Sequence, residues 1–447
     1  MKKISHEVLD KGGVMSMYIG PRVVYLVADP DDCYRISNEN IDKSLLYDFL
    51  KPWLGNGIFT APETIWKPNR KLLNPAFNSL ALMHFLSVFN KQSRKLALFL
   101  QEFAGKGPFD QAECLCPAGM ATIGLTSLGV NFEEHIRSGR YSALCGQFLD
   151  TVVRRFSCVW YHHPGLFGWT ALKRRQDKYA EELHELTEAI MKKKLMNPKE
   201  KHDERNFKAF IDILLELRGE DHNDDSIMSK QQMRDELDTM ILAGTDTSAL
   251  TLSYAMVLLG SHPEVQDKVY EEIHGIFGDT DRDVNREDLS NLVLLDAVLK
   301  ETMRLYPIAP MVFRKLSRDC VVKNYQLRAG SSVAIMIYAL HRHSDWGSDA
   351  EQFNPRRWMN QETLPKNPLL FAGFSMGKRS CIGLLFYLTF RANLRHDVHE
   401  DCAGPHPEEV PHQVGYQQDG DRLPTDDEAC GRASHLLGKE GINCLEI

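Results

Sequence analysis

The sequence predicts a mainly α-helical protein with small β-sheets, an α+β fold. Two observations predict this: long stretches between about residues 92 and 306 carry apolar residues at helical spacing, and the period-two stretches are few and short. A third concerns size. A chain of 447 residues, 43% hydrophobic and without a long polar interruption before about residue 390, can bury one large core.

In chain order, Val14 to Val27 reads as a β-hairpin, since two apolar runs flank the turn residues Gly20-Pro21. From about Gln92 to Leu217 the pattern is helical, with breaks at Gly105-Lys-Gly-Pro108 and His163-Pro-Gly165. The acidic stretch Arg218 to Asp225 then reads as a solvated loop. A long helix is expected over Gln231 to Gly260, a second opened by Pro263, and a third from Asn291 to Tyr306. Val333 to Tyr338 reads as a strand. From about Arg391 the apolar period disappears among Pro, Gly, acids, His and Gln, so residues 1–390 are expected to form one domain and residues 391–447 an atypical, disordered tail.

Composition excludes several classes. A net charge of −8 gives no basic footprint for nucleic acid. Ten scattered cysteines without a CxxC pair suggest neither a zinc site nor a disulfide framework, and fit reduced thiols facing the cytosol. The first residues are polar, and no run reaches the roughly 18 to 20 apolar residues of a membrane helix. His341 and His343 lack a third ligand and a helix-face spacing, so no metal is expected there; the same holds for Cys402, His406 and His412.

The run that carries chemistry is Phe374-Ser-Met-Gly377-Lys-Arg379-Ser-Cys381-Ile-Gly383. A lone cysteine is more often an inert buried residue than a ligand. Here a glycine turn precedes a cysteine at an expected helix start, where free N–H groups and the helix dipole favour a thiolate. The run fits F-x-x-G-x-R-x-C-x-G and resembles the haem loop of the cytochrome P-450 family. The resemblance implies haem b, held between a long distal helix and the Cys-bearing proximal helix, with Cys381 as axial thiolate. A thiolate favours O–O cleavage. It also implies that Phe374 and Gly377 shape the loop, that Gly377 lets the backbone approach the porphyrin, and that Arg379 pairs with a haem propionate.

Other segments resemble the same family in order. Ala243-Gly244-Thr245-Asp246-Thr247-Ser248 is similar to its distal-helix segment, which implies room for oxygen at Ala243 and Gly244 and a proton-delivery pair in Asp246 and Thr247. Taken alone, such a string is more often a helix with back-bonded hydroxyls. Glu301-Thr-Met-Arg304 and Phe353-Asn-Pro355-Arg-Arg357-Trp358 imply a buried structural network of Glu301, Arg304 and Arg357. Trp66 and Arg70, one helical turn apart, imply propionate contacts; Pro68 between them either opens that helix or sits in its first turn. Arg314 reads as a further propionate contact or as a strand-end surface arginine.

Trp53-Leu-Gly-Asn-Gly57 and Arg70-Lys-Leu-Leu-Asn-Pro-Ala-Phe77 resemble the animal microsomal group that includes fatty-acid omega-hydroxylases, especially its insect members. Ala243 stands where many of that group carry a glutamate, so no covalent haem ester is expected. The resemblance implies monooxygenation of an apolar substrate (fatty acid, hormone or xenobiotic), with NADPH electrons delivered by a cytochrome reductase. Cytochrome b5 is an accessory partner, and Lys378 and Arg379 lie on the docking side. It places such proteins on the cytosolic face of the endoplasmic reticulum membrane, while this chain starts beyond the family's anchor. After Leu384 to Phe390 the family's helix and terminal strands give way to other sequence, which suggests a shifted reading frame or splice. Two further readings are a truncated, impaired haem-binding paralogue and a hydroperoxide isomerase; Asp246 and Thr247 argue against the second.

Overall fold

The computed structural model describes residues 1–77, 79–130, 139–196, 209–217 and 228–383. The acidic stretch after Leu217, most of the segment following Cys381 and the tail lie outside the described residues.

Helix α1 (Lys2–Asp10) precedes the hairpin β1 (Val14–Ile19) and β2 (Arg22–Val27), paired antiparallel as the alternation predicts. Gly20 turns with φ +59°, and a Cβ there would overlap the Val159 side chain. Helix α2 (Pro30–Glu39) starts where Asp29 accepts from the Asp32 N–H and Pro30 supplies a pre-set φ. Helix α3 (Glu63–Leu73) continues past Pro68. Pro68 therefore neither opens the helix nor lies in its first turn; a surface position, exposed on one side, accommodates the missing N–H.

The helical body follows: α4 (Ser79–Gln101), α5 (Ala112–Thr126), α6 (Arg140–Ser157), α7 (Ala171–Met196), α8 (Phe210–Leu217), α9 (Lys230–Ser261), α10 (Pro263–Phe277) and α11 (Val293–Leu305). The break at Gly105 to Pro108 separates α4 from α5. At His163-Pro-Gly165 the break differs, because Pro164 begins a one-turn helix capped by the His163 side chain. Ser229 caps α9 and Pro263 occupies the first turn of α10.

Helix α9 is the axis of the core. Met233, Leu237 and Ile241 pack with Met120 of α5, Leu144 and Phe148 of α6 and Leu183 of α7. Two to four turns on, Ala249, Leu252 and Ala255 pack with Leu96 of α4, Val269 of α10 and Val298 of α11. Among the described residues α9 alone is long and apolar enough to cross a membrane, which corrects the expectation that no such run exists. Its apolar character serves a helix with protein on several sides.

Strands β3 (Val312–Lys315) and β6 (Ser332–Ile335) complete a sheet of order β1-β2-β6-β3, with β6 parallel to β2 and antiparallel to β3. Between them in sequence, β4 (Cys320–Val322) and β5 (Tyr325–Leu327) form a separate hairpin. The strand expected to reach Tyr338 ends at Ile335, and Ile337–Leu340 make a helical turn. The Tyr338 N–H donates to Pro310 O, which pulls the chain out of the sheet.

Candidate active site

The Cys381 loop is held from within. The Cys381 N–H donates to Phe374 O at 2.9 Å and the Ser380 N–H to Gly377 O at 3.0 Å. Gly377 has φ +72°, and a Cβ there would crowd Ser37 on α2. The turn and its contact with α2 are by themselves enough to require glycine at this position. Cys381 itself is exposed in area. Neighbouring protein nevertheless desolvates the thiol and raises its pKa, while the Gly383 backbone and Arg70 act in the opposite, thiolate-favouring direction. Ile382 packs against the same apolar cluster as Leu242 of α9.

Around the loop stands a group of cations. Arg70 donates to Ser380 O at 3.1 Å. Trp66, one turn earlier on α3, is buried, with the Arg379 guanidinium 4.5 Å over its ring. Arg379 donates to the carbonyls of Ile41 (3.2 Å), Ile58 (3.2 Å) and Ala61 (2.5 Å). It is buried, so it is not part of the exposed docking face where it was expected; only Lys378 is exposed there. Burial and Arg314 push the Arg379 pKa down to about 10.

Arg314 on β3 has no exposed area, which removes its surface reading. Its Nη1 donates to Phe313 O at 3.1 Å, whereas Nε and Nη2 have no partner. Lys43, a residue the motif reading missed, sits 4.4 Å over the Tyr47 ring, and burial with Arg314 and Arg379 nearby drives its pKa well down. Nothing in the sequence around Lys43 marks it; three distant segments bring these cations together.

This donor set fits haem. Withdrawing cations from water without ion-pair partners is costly, and among the described residues Lys43, Arg314 and Arg379 form no ion pair, although Asp42 and Glu63 lie near enough to favour the Arg379 charge. Two carboxylates of a porphyrin are the complement such a group lacks.

On α9, Ala243 and Thr247 are exposed, and the Thr247 hydroxyl donates to Ala243 O at 2.6 Å, the back-bonded arrangement. Asp246 is partly exposed: burial alone raises its pKa to about 6, and its charge raises those of Cys116 and Cys145. Among the described residues no hydrogen bond joins Asp246 to Thr247. Gly244 meets a packing demand as well. A Cβ there would overlap Ile123 of α5, so helix packing alone requires a small residue at this position.

Behind the loop, Glu301 accepts from Arg304 Nε and Nη2 (2.8 Å each), Arg357 Nε (3.0 Å), Trp358 Nε1 (2.9 Å) and the Asn354 N–H (3.0 Å). Arg304 also donates to His341 O and Ala350 O, and Arg357 to Trp346 O and Asp349. His341 links this network to the loop. Its Nε2 accepts from the Ala372 N–H at 2.9 Å, so Nδ1 carries the proton that reaches Arg304 O at 2.9 Å. Burial pushes its pKa down to about 3, which keeps the ring neutral.

Comparison with known proteins agrees with this arrangement. The sequence matches the family described as Cytochrome P450 over residues 1–386. It is similar to cytochrome P450 4V2 of Rattus norvegicus, 32% identical over 390 residues that span 83% of this chain and 73% of that protein. Cytochrome P450 4V2 of Homo sapiens is 31% identical over 392 residues, covering 83% of this chain and 73% of its own length. Cytochrome P450 4c3 of Drosophila melanogaster is 29% identical over 397 residues, covering 84% and 73%.

Proposed function

The chain belongs to the cytochrome P450 family of haem monooxygenases, and on that premise we propose that Cys381 supplies the iron thiolate for oxygenation of an apolar small molecule. The observation that carries the assignment is the group formed by the partly buried Lys43 and the buried Arg314 and Arg379 beside Trp66, Arg70 and the Cys381 loop. When bound, haem supplies the iron at which O2 is reduced and split.

The chain's own residues do the rest. Lys43, Arg314, Arg379, Trp66 and Arg70 hold the propionates, while Phe374 and Gly377 set the loop that presents Cys381. Ala243 and Gly244 form the small-residue stretch of the distal helix. Asp246, titrating near pH 6, exchanges a proton close to neutrality, and Thr247 offers a hydroxyl from the exposed side of α9. Glu301, Arg304 and Arg357 act structurally, keeping the loop in place through His341.

We assign the substrate to the fatty acid, hormone or xenobiotic class and the electrons to NADPH through a cytochrome reductase, with cytochrome b5 as accessory donor. The exposed Lys378 marks the docking side. The setting is the cytosolic face of the endoplasmic reticulum membrane. Turnover with NADPH, a microsomal reductase and isotopically labelled O2 over a panel of fatty acids and terpenoids tests this. One labelled oxygen per product molecule is expected. Haem-loaded protein that is reduced by the reductase and yields no labelled product across the panel would overturn the oxygenase assignment.

A further inference from the structure

We infer that Glu236 of α9 is a positioning residue for the haem-carboxylate cradle, tying both cradle segments to the distal helix. The inference rests on the haem reading above. Glu236 is 1% exposed and spends both carboxylate oxygens on the cradle: Oε2 accepts from the Ile58 N–H at 2.8 Å, and Oε1 from Asn69 Nδ2 at 2.9 Å. Each partner lies one step from a haem-facing group. The Ile58 carbonyl, on the residue whose N–H Glu236 holds, accepts from Arg379 Nη1, and Ala61 O accepts from Nη2. Asn69 sits next to Arg70 and three residues after Trp66 on α3.

The loop between Gly55 and Ile58 is shaped for this contact. Asn56 donates its N–H to Asp235 Oδ2 at 2.8 Å. A Cβ on Gly55 would overlap the Asp235 carboxylate, and one on Gly57 would overlap Thr239 and the Asp235 backbone. Glycines let the loop lie on α9 closely enough for adjacent carboxylates to reach its N–H groups. Loss of Glu236 leaves the part-buried Ile58 N–H and the buried Asn69 amide unpaired and frees the Ile58 unit whose carbonyl helps aim Arg379.

The test is haem transfer from the ferric full-length protein to excess apomyoglobin at pH 8. Glu236→Ala is expected to release haem about 10-fold faster or more, the scale of one or two unpaired buried donors. Glu236→Gln is expected within about 2-fold of the parent, because the Asn69 amide can turn its carbonyl toward the new NH2. Asn69→Asp, which opposes two carboxylates, is expected to release haem faster, and adding Glu236→Gln to it to restore retention. Parent-like haem loss in Glu236→Ala, or no restoration in the double variant, overturns the inference while leaving haem binding intact. A parent chain that takes up no haem overturns the underlying reading and this inference with it. Should Glu236→Ala fail to accumulate, Asn69→Asp and the double variant decide.

Discussion

Replacing Asp238 by Asn should stabilise this protein at neutral and alkaline pH and not in acid. Asp238 has no exposed area; its Oδ1 accepts from the Thr187 hydroxyl at 2.5 Å and its Oδ2 has no hydrogen-bond partner. His184 Nε2 lies 3.6 Å from that oxygen, but the ring is committed to Trp53 O at 2.7 Å. Burial lowers the His184 pKa and raises that of Asp238 from 3.8 to about 8, so the contact joins two neutral groups rather than an ion pair. A carboxyl whose folded pKa is raised contributes fully below its unfolded pKa and progressively less as pH climbs to the folded value. At about 1.4 kcal/mol per pH unit, keeping Asp238 protonated costs about 4 kcal/mol at pH 7 and under about 2 kcal/mol at pH 5. The buried amide introduced by Asn offsets about 1–3 kcal/mol. A net gain of about 2 kcal/mol at pH 7, vanishing by pH 5, is expected in urea unfolding followed by circular dichroism. Parent and variant losing stability in parallel from pH 5 to 8 would show that Asp238 is ionised in the fold, and the reasoning would fail.

Three further outcomes are expected. Glu301→Gln strips Arg304 of its counter-charge and leaves Arg357 with Asp349 alone, all within a buried network, and should cost about 3–5 kcal/mol in the same assay; an unchanged midpoint would contradict the network's role. His341→Ala leaves the Ala372 N–H and the Arg304 carbonyl unpaired, so about 1–3 kcal/mol should be lost, with faster proteolysis in the 372–383 loop. Gly244→Ala should destabilise by about 1–3 kcal/mol through overlap with Ile123, and Ile123→Val should relieve it; activity loss without any stability change would instead favour the oxygen-space reading.

Punctuation made much of the fold legible. Gly20-Pro21 marked the hairpin, and Pro263 sits at a real helix start. The motif residues gather because short-range spacing encodes them: Trp66 and Arg70 share a turn of α3, and Glu301 and Arg304 share one of α11. What spacing cannot encode is a side chain held by backbone groups from distant segments. Lys43, Glu236 and His341 are single polar residues, and their settings depend on residues brought in from β3, the 55–61 loop and the Ala372 N–H. The end of β6 at Ile335 was hidden for the same reason, since the Pro310 carbonyl that redirects the chain is remote in sequence. The packing demand on Gly244 was likewise hidden, because the sequence does not reveal Ile123 opposite it.

The central claim is that Cys381, backed by the cation cradle, ligates haem iron as a thiolate. The direct measurement is the carbon monoxide difference spectrum of the reduced, haem-loaded protein beside its Cys381→Ser variant. The account predicts the red-shifted Soret band of a thiolate-ligated carbonyl in the parent and its loss in the variant. A parent spectrum lacking that band at full haem occupancy, or a band that survives Cys381→Ser, would contradict it.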